Sequence, residues 1–325
     1  MAVIGVDLGG TKITGALFNE EGDMLCQTTH LLEKRKGHEV GLLVLQTINE
    51  VIEQSKYRRD AIEALGICVP GIANSKTGLI WAPNIDGWEN YPLQKEIEEH
   101  FSNDKLTIDI ASDRTCYILG EKWKGAAKNA ANAIYLSVGT GIGAGLLIDG
   151  NIVHGEGDVV GAAGWLAMET PFVEEFERYG CFESYASGDG IARQAKKILK
   201  EGLLFQESEF YKKEIESLSA KDIFAAVHND DPLAMFIIDK AIELWAMASA
   251  NLVSLLNPEV IIWGGGVFGP AAHLINRIYE EASKWAQPIA IKQVKFEKSI
   301  LQGNAGLYGA GYLALTSIKN KPSIE

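Results

Sequence analysis

The chain has 325 residues, a length that corresponds to about two domains. Hydrophobic residues make up 47% and charged residues 22%, a globular composition that excludes disorder as the main state. The net charge is −13, and a surface of that sign repels phosphate backbones, so no nucleic-acid partner is expected. No stretch approaches the ~20 apolar residues of a membrane-spanning helix, so no membrane partner is expected either.

The N-terminal segment and the cysteines both bear on the compartment. Residues 2–8 predict a buried strand, without the basic start and long apolar core of a signal peptide. The four cysteines stand far apart and form no Cys-x-x-Cys pair. This pattern favours buried thiols in a reducing compartment over a disulfide framework. The sequence therefore predicts a cytoplasmic protein.

An internal repeat organises the chain. Residues 2–25 predict a strand, a glycine turn, a second strand and an acidic turn. Residues 132–154 predict the same succession, with Asp149 and Gly150 as its hairpin turn. The two copies predict a duplicated, two-lobed architecture. The alternative is a coincidence between two glycine-rich hairpins.

Helices and strands alternate after each copy of the repeat. Apolar residues at helical spacing mark the helices, and short apolar runs bounded by glycine, proline or polar residues mark the strands. The predicted elements are helices over 39–57, 113–124, 232–256 and 303–318 and strands over 61–69, 106–110 and 260–263. This alternation favours layers of α/β structure.

The first glycine turn carries side chains suited to phosphate chemistry. Asp7 ends a strand, Gly9 and Gly10 form the turn, and Thr11 and Lys12 follow. Glycines let a backbone turn approach a ligand closely, and its N–H groups bind phosphate oxygens. Asp7 is placed to hold a metal through water. The order Thr-Lys excludes a Walker loop, and the alternative is a tight hairpin that carries polar residues.

Two further glycine clusters stand in the second half. Gly139, Thr140 and Gly141 lie between two strands and, as the repeat equivalent of the first turn, predict a second phosphate loop. Gly264–Gly266 lies between a strand and a helix, where glycine permits a flat ligand or a phosphate near a helix N-terminus. Close packing of the helix on the strand explains this triple glycine equally well.

Asp113 follows a predicted strand and begins a predicted helix. A carboxylate at this place is able to accept a hydroxyl proton during phosphoryl transfer. Ser112 or Asp113 also serves as an ordinary N-cap of the helix. The two interpretations are compatible.

Taken in order, these motifs resemble the ROK family, a group of sugar kinases and related repressors within the actin/hexokinase-like fold. The resemblance runs over nearly the whole chain, and the ordered set is highly specific. Its parts are Asp7–Lys12, Val69–Gly71, Ala82–Asn84 with Trp88, Asp113 with Leu119–Glu121, Gly139–Gly145, Gly180–Tyr185, Gly264–Gly266 and Ala305 with Gly306.

The resemblance implies an α/β protein with a two-lobed actin-like (ribonuclease H-like) ATPase fold, whose duplicated mixed-sheet lobes enclose a cleft. The expected small lobe comprises residues 1–112 with the C-terminal helix 305–325, and the expected large lobe residues 113–304. ATP and Mg²⁺ are the expected cofactors. The resemblance allows a homodimer, since dimers are usual in the family, but the sequence itself indicates no interface. The resemblance further implies that both glycine turns bind ATP phosphates, that Gly264–Gly266 borders the adenosine and that Asp113 is the general base.

The chain departs from the family in its sugar-contact and zinc motifs. Ser112 stands where the family has an asparagine, and Ala162 and Trp165 replace the glutamate and histidine of a Glu-x-Gly-His stretch. Cys181 alone remains of three family cysteines. One thiolate cannot form a tetrahedral site, so no structural zinc is expected.

Asn84 and Glu183 keep the residue types of family sugar contacts. The expected substrate site comprises Gly71, Asn84, Ser112, Asp113, Trp165 and Glu183. Each lost hydrogen-bond partner of a sugar hydroxyl weakens the binding free energy by about 1–3 kcal/mol. We therefore expect a modified sugar or another polyol rather than glucose. Trp165 is expected to stack on an apolar ring face, and the alternative is that it fills space left by the missing zinc lobe.

The expected function is therefore an ATP-dependent carbohydrate kinase acting on a hexose or a modified sugar. One alternative is a catalytically weak sugar sensor of the same fold without a DNA-binding domain, since Asp7 stands near the start of the sequence. A filament-forming or chaperone ATPase is a further alternative, against which the sugar motifs weigh. Asp113 and the intact phosphate loops favour turnover.

Overall fold

The computed structural model describes residues 1–55, 62–104 and 106–319, and it contains a helix or a strand at each predicted element. Residues 56, 57, 61 and 320–325, which fall in predicted elements, lie outside the described residues. The strands are β1 (Ala2–Leu8), β2 (Lys12–Asn19), β3 (Met24–Leu31), β4 (Ile62–Val69), β5 (Ile72–Ala73), β6 (Ile80–Trp81), β7 (Thr107–Ser112), β8 (Ala133–Val138), β9 (Ile142–Ile148), β10 (Asn151–Ile152), β11 (Val260–Gly264) and β12 (Lys295–Lys298). The helices are α1 (His38–Gln54), α2 (Leu93–His100), α3 (Asp113–Lys124), α4 (Glu175–Tyr179), α5 (Cys181–Ala186), α6 (Gly188–Glu201), α7 (Ala220–Val227), α8 (Pro232–Leu256), α9 (Ile275–Ala282) and α10 (Ala305–Lys319).

The two copies of the repeat form sheets of the same design. In the first sheet, of order β3-β2-β1-β4-β7, β1 pairs antiparallel with β2 and parallel with β4. In the second, of order β10-β9-β8-β11-β12, β8 pairs antiparallel with β9 and parallel with β11. In each sheet a hairpin closed by a glycine turn is extended by two parallel strands. The duplicated mixed-sheet architecture is confirmed, and coincidence between two hairpins is not its explanation.

The chain divides into two compact units. The first unit comprises residues 1–129, 152–160 and the segment from 303 onward, and the second comprises 130–151 and 161–302. Residues 113–129, 152–160 and 303–304, which the sequence assigns to the large lobe, thus lie in the first unit. For residues 113–129 the reason is the close approach of α3 to α10. A Cβ on Gly120 would lie 2.3 Å from the Ala305 carbonyl oxygen, and one on Gly309 would lie 1.8 Å from that of Cys116.

The first sheet is buried on both faces because its central strands are apolar throughout. Ile4 of β1 packs in one core with Val44 of α1. Val3 belongs with Leu307 and Ala314 of α10 to a core on the other face. Neighbouring residues of a strand point to opposite faces, so a continuous apolar run is what a sheet covered on both sides requires.

In the second unit, α8 is the long helix of the core, and local signals set its ends. The Asp231 carboxylate accepts the N–H groups of Leu233 and Ala234, and Pro232 occupies the first turn. Asn257 ends the helix in the left-handed conformation, with φ 42°. Although α8 has 25 residues, neither it nor another helix of the described ranges has the length and apolarity to cross a membrane.

Candidate active site

The turn between β1 and β2 is the first of two glycine turns. The Gly9 N–H donates to the Lys12 carbonyl at 2.9 Å, which closes the hairpin and leaves Thr11 and Lys12 exposed. A Cβ on Gly10 would lie 2.9 Å from Nδ2 of Asn84. The Asn84 amide therefore lies directly over the turn, and two predicted groups, the phosphate turn and the sugar contact, adjoin each other.

The loop that carries Asn84 is held in place by Trp88. The Trp88 ring is buried and stacks on Tyr91, with ring centroids 4.4 Å apart. Its indole N–H donates to the Gly37 carbonyl at 3.0 Å. Asn84 itself is exposed, so a rigid apolar anchor presents a polar amide to solvent or to a ligand.

Asp7 is the next-to-last residue of β1 and lies beside the first turn of α10. A Cβ on Gly306 would lie 2.8 Å from the Asp7 carboxylate, so glycine is required for α10 to begin there. Burial raises the pKa of Asp7, while a hydrogen bond from the Cys68 thiol and the positive charge of Lys12 oppose that rise. The Asp7 carboxylate therefore lies between a helix N-terminus and a cation.

Asp113 is the first residue of α3, and its neighbour Ser112 is the N-cap. The Ser112 hydroxyl accepts the Thr115 N–H at 3.4 Å. Oδ1 of Asp113 accepts the backbone N–H of Arg114 at 2.7 Å. Burial raises the pKa of Asp113 to about 6, the negative charge of Asp7 adds to this, and the charge and N–H of Arg114 oppose it. Because Ser112 caps the helix, the Asp113 carboxylate is not needed for that purpose.

Gly71 lies beside the first turn of α3. Its φ is +82°, and a Cβ there would lie 2.1 Å from the Trp81 carbonyl oxygen, so no other residue fits without displacing the backbone. Its carbonyl oxygen accepts from Nη2 of Arg114 at 3.5 Å. Gly71 and Asp113 are thereby linked through Arg114, a residue outside the predicted site.

The turn between β8 and β9 is the second glycine turn, and it is held by a helix N-terminus. The Gly139 N–H donates to the Gly141 carbonyl at 2.9 Å, and the Gly139 carbonyl accepts the N–H of Gly188 at 2.7 Å. Gly188 begins α6, whose N-cap is Ser187. Thr140 stands exposed at the tip of this turn.

The Glu183 carboxylate is hydrogen-bonded to the backbone at the end of this second turn. Its Oε2 accepts the Ile142 N–H at 2.7 Å, and burial raises its pKa against that hydrogen bond and the charge of Arg193. A Cβ on Gly141 would lie 2.6 Å, and one on Gly164 2.7 Å, from the same oxygen. Both positions therefore require glycine, because a side chain at either would collide with the Glu183 carboxylate. The residue after Gly164 is Trp165, which is 56% exposed.

The triple glycine serves two purposes that the sequence left as alternatives. A Cβ on Gly264 would lie 1.8 Å from the Tyr135 hydroxyl, so this glycine permits close packing. Gly265 has φ +85°, and its Cβ would lie 2.4 Å from the Val138 carbonyl oxygen. A Cβ on Gly266 would meet nothing within 4 Å, so Gly266 adjoins open space.

That open space is a cleft of about 750 Å³ within the second unit, lined by Gly139, Thr140 and Gly266 among the predicted residues. Its apolar wall includes Leu218 and Phe224. The remaining polar wall was not predicted: it comprises Asp189, Arg193, Lys196, Ser219 and Lys221. A cleft with an apolar wall and several cations has the chemistry to hold a base and phosphates.

The family model described as ROK family matches residues 3–317. The chain belongs to the ROK family. It is 33% identical over 318 residues to the glucokinase of Halalkalibacterium halodurans, covering 95% of this chain and 94% of that protein. The structure of the ROK hexokinase from Thermus thermophilus is similar with a TM-score of 0.81 at 25% identity, over 98% and 99% of the two chains. That of the ROK glucokinase from Streptomyces griseus in complex with glucose and AMPPNP is similar with a TM-score of 0.75 at 26% identity, over 97% and 100%.

These likenesses confirm the resemblance and the two-lobed actin-like fold that it implies, and this ROK protein is an ATP-dependent sugar kinase. Within the ROK kinase the predicted site residues fall into two groups. Those of the first unit are Asp7, Gly9, Gly10, Thr11, Lys12, Gly71, Asn84, Ser112 and Asp113, and those of the second are Gly139, Thr140, Gly141, Trp165, Glu183, Gly264, Gly265 and Gly266. The residues missed were Arg114 and the basic wall of the cleft. The helical spacing of Arg193 and Lys196 was the available signal for part of that wall.

Proposed function

We propose that this kinase transfers the γ-phosphoryl group of ATP to a hydroxyl of a hexose or a modified sugar, with Asp113 as the general base. The observation that carries the proposal is the state of the Asp113 carboxylate. It is partly buried, one oxygen is held by the Arg114 backbone N–H, and burial raises its pKa to about 6. A base with a pKa near the working pH is mostly ionised and still accepts a proton readily.

In the proposed reaction Asp113 accepts the hydroxyl proton as the sugar oxygen forms its bond to the γ-phosphorus. The bond from that phosphorus to the β-γ bridging oxygen breaks, and ADP leaves with the electron pair. The proton then resides on the Asp113 carboxyl until it passes to solvent. Asp7 raises the pKa of Asp113, so proton acceptance is favoured while both carboxylates are ionised.

The proposed phosphate contacts are the N–H groups of the two glycine turns, the Thr11 and Thr140 hydroxyls and the Lys12 ammonium. Hydrogen-bond donors fixed before the reaction stabilise the charge of a transferring phosphoryl group without reorganising. The cleft at Gly266 is the proposed adenosine site, with Gly264 and Gly265 shaping its edge. Its volume of about 750 Å³ suits a ligand of nucleotide size.

Mg²⁺ fits the donor set of the first unit. In the described ranges no three His, Cys, Asp or Glu residues gather, but Mg²⁺ is commonly held by one or two carboxylates, with water and substrate phosphates completing the shell. Asp7, beside Lys12 and the first glycine turn, is the residue proposed to hold it, directly or through water. When bound, the ion supplies positive charge to the phosphates.

The proposed sugar contacts are Gly71, Asn84, Ser112 and Glu183. Asn84 offers an exposed amide over the first turn. Glu183 uses Oε2 for the Ile142 N–H, while its Oε1 has no hydrogen bond from the residues that the structure describes and is available to a hydroxyl. The fixed Oε2 contact orients the carboxylate before the substrate arrives.

Trp165 is proposed to stack on an apolar face of the sugar. Its indole is 56% exposed on a short 3₁₀ turn, Ala163–Trp165, so an apolar surface remains to be covered. Replacement by alanine is expected to raise the sugar KM by about 10-fold, the scale of a partly desolvated aromatic contact. An unchanged KM in Trp165→Ala would remove the stacking role.

Free thiols support a cytoplasmic location as part of the same proposal. Cys26, Cys68, Cys116 and Cys181 are all unpaired by disulfides. Reduced cysteines are typical of the cytoplasm. Subcellular fractionation of cells that express an epitope-tagged chain would test the location, and the tag is expected in the cytoplasmic fraction.

The proposed function is tested by ADP release against a broad panel of sugars, with Asp113→Asn in parallel. We expect substrate-dependent ADP release that falls by about 10²- to 10⁴-fold in the variant. Asp86→Asn is the matched control, because Asp86 is an exposed aspartate of the same unit paired only with Lys36 among the described residues. ADP release that no sugar stimulates, with sugar binding retained, would instead support a sensor.

A further inference from the structure

Arg114 forms no ion pair within the described ranges, although its positive charge acts on the neighbouring Asp113 carboxylate. Nη1 donates to the Val159 carbonyl and Nη2 to that of Gly71, each at 3.5 Å, the outer limit of a hydrogen bond. Arginines that do form ion pairs within these ranges are Arg35, Arg193 and Arg277. A guanidinium has five N–H donors, so Arg114 retains most of its binding capacity.

The Arg114 side chain is also partly removed from water. Burial lowers the pKa of Arg114, and the negative charge of Asp113 opposes that effect. A cation withdrawn from water without an ion pair is costly. An arriving anion would relieve this cost, and guanidinium groups bind carboxylates through two parallel hydrogen bonds.

The carboxylate of Asp158, next in sequence to the Val159 contact of Arg114, is already hydrogen-bonded. Asp158 precedes Val159 and accepts both the N–H and the hydroxyl of Ser75, at 2.8 and 2.9 Å. It also pairs with His154 at 3.2 Å. These contacts fix the segment that carries the Val159 carbonyl. Because Asp158 is bonded to Ser75 and His154, it forms no ion pair with the Arg114 guanidinium, which can still bind a ligand anion.

Arg114 is hydrogen-bonded to a residue of the proposed sugar site. Its two carbonyl partners include Gly71, a proposed sugar contact. The cation that acts on Asp7 at the phosphate turn is instead Lys12. Of the two carboxylates of the proposed site in the first unit, Asp7 is acted on by the charge of Lys12 and Asp113 by that of Arg114.

We infer that Arg114 binds a carboxylate of the acceptor, and that the preferred acceptor is a sugar acid whose carboxylate lies near the hydroxyl to be phosphorylated. The inference rests on the proposed function, because it takes Asp113 as the base. It narrows the acceptor from hexoses and polyols in general to those with an anionic group. Arg114 becomes a specificity-determining residue.

The test compares matched neutral and acidic acceptors: glucose with glucuronate, galactose with galacturonate, and sorbitol with gluconate. ADP release is measured for wild type, Arg114→Gln and Arg114→Lys, with Arg277→Gln as the control, since Arg277 is exposed and lies in the other unit. We expect wild type to favour at least one acid over its neutral partner. Arg114→Gln should lower the preference for that acid over its neutral partner by about 10- to 100-fold, with Arg114→Lys between the two. Any loss that follows from a raised Asp113 pKa is shared by the acid and its neutral partner and leaves their ratio unchanged.

Calorimetric titration of each acid without ATP supplies a measurement that does not depend on turnover. Acid binding that weakens in Arg114→Gln supports the inference, and thermal unfolding of the variants verifies that they fold. Efficient turnover of neutral sugars alone, or an equal loss on neutral and acidic acceptors in Arg114→Gln, overturns the inference and leaves the kinase function standing. Absence of both turnover and acid binding overturns the inference together with the proposed function.

Discussion

The two glycine turns occupy the same place in two equivalent sheets, yet their surroundings differ in charge and in purpose. The turn at Gly10 adjoins a carboxylate, Asp7, whose charge acts on a second carboxylate, Asp113. The turn at Gly139 adjoins a helix N-terminus and a cleft lined by three basic side chains. Its carboxylate, Glu183, is turned inward to hold the Ile142 N–H.

This difference teaches that duplication preserved the backbone frame while the side chains diverged. A glycine turn between antiparallel strands offers N–H groups wherever it stands. What those groups serve depends on the neighbours that other segments bring. Under the proposed function, the first turn belongs to proton and phosphoryl transfer and the second to nucleotide binding.

The largest expected effect separates the two carboxylates, Asp113 and Glu183. Asp113→Asn should lower kcat by about 10²- to 10⁴-fold, because an amide cannot accept the hydroxyl proton. Glu183→Gln should keep kcat within about tenfold and raise the sugar KM, because an amide oxygen still accepts the Ile142 N–H. Steady-state kinetics with ATP and the best acceptor measure both. Equal losses of kcat would mean that the division of roles is wrong.

The next effect concerns the stability of the two turns. Gly141→Ala should lower the free energy of unfolding by about 1–3 kcal/mol, because its Cβ would press on the fixed Glu183 carboxylate. Gly10→Ala should change it by less than about 0.5 kcal/mol, because the neighbouring Asn84 amide is exposed and free to move. Urea unfolding compares the variants. A larger loss for Gly10→Ala would reverse the expected difference between the turns.

Lowering the pH should reduce catalysis, which depends on Asp113 beside the first turn, more than nucleotide binding at the second turn. Asp113 works ionised, so kcat/KM should fall by about tenfold per pH unit below about 6. A nucleotide dissociation constant measured in parallel should change less. A profile that is flat between about pH 5 and pH 8 would contradict the assignment of Asp113 as the base.

The same raised pKa bears on stability with a defined sign. The folded state holds the Asp113 proton more tightly than the unfolded state, so the ionised carboxylate destabilises the fold above about pH 6. Asp113→Asn should therefore exceed the wild type in unfolding free energy by at most about 3 kcal/mol at about pH 8. That advantage should shrink as the pH falls from about 6 toward 4, as unfolding curves across this range would show.

The smallest effect tests the cleft of the second unit. Gly266→Ala should leave the melting temperature unchanged, because its Cβ would meet no atom within 4 Å. The added methyl group narrows the cleft, so the ATP KM should rise by about tenfold. The sugar KM serves as the internal control. An unchanged ATP KM would place the nucleotide away from Gly266.

Local signals explain why some elements were predicted with their correct ends. Helices 113–124 and 232–256 begin and end as the sequence indicates, because Ser112 and Asp231 cap them and Asn257 closes the second. Strand β7 runs to Ser112, beyond the predicted 106–110. Its last residues gain their hydrogen bonds from β4, a partner that local periodicity does not reveal.

In the site, as in the fold, features set by adjacent residues were predictable and contacts between distant segments were not. The glycine turns and the position of Asp113 were predictable, because tight turns and strand ends are encoded by adjacent residues. Arg114 was not, since the carbonyls that hold it belong to Gly71 and Val159. The basic wall of the cleft was missed for the same reason, because Arg193 and Lys221 stand on different helices.

The sequence by itself determined the repeat, the glycine turns, the caps and the order of the family motifs, since each depends on backbone conformations that neighbouring residues favour. Only the tertiary structure decided which carboxylate is buried, which is paired and which retains a raised pKa. Gly306 brings a helix against Asp7, and the Ile142 N–H commits one oxygen of Glu183. Burial and pairing join segments that are distant along the chain, and these contacts set the chemistry of each side chain.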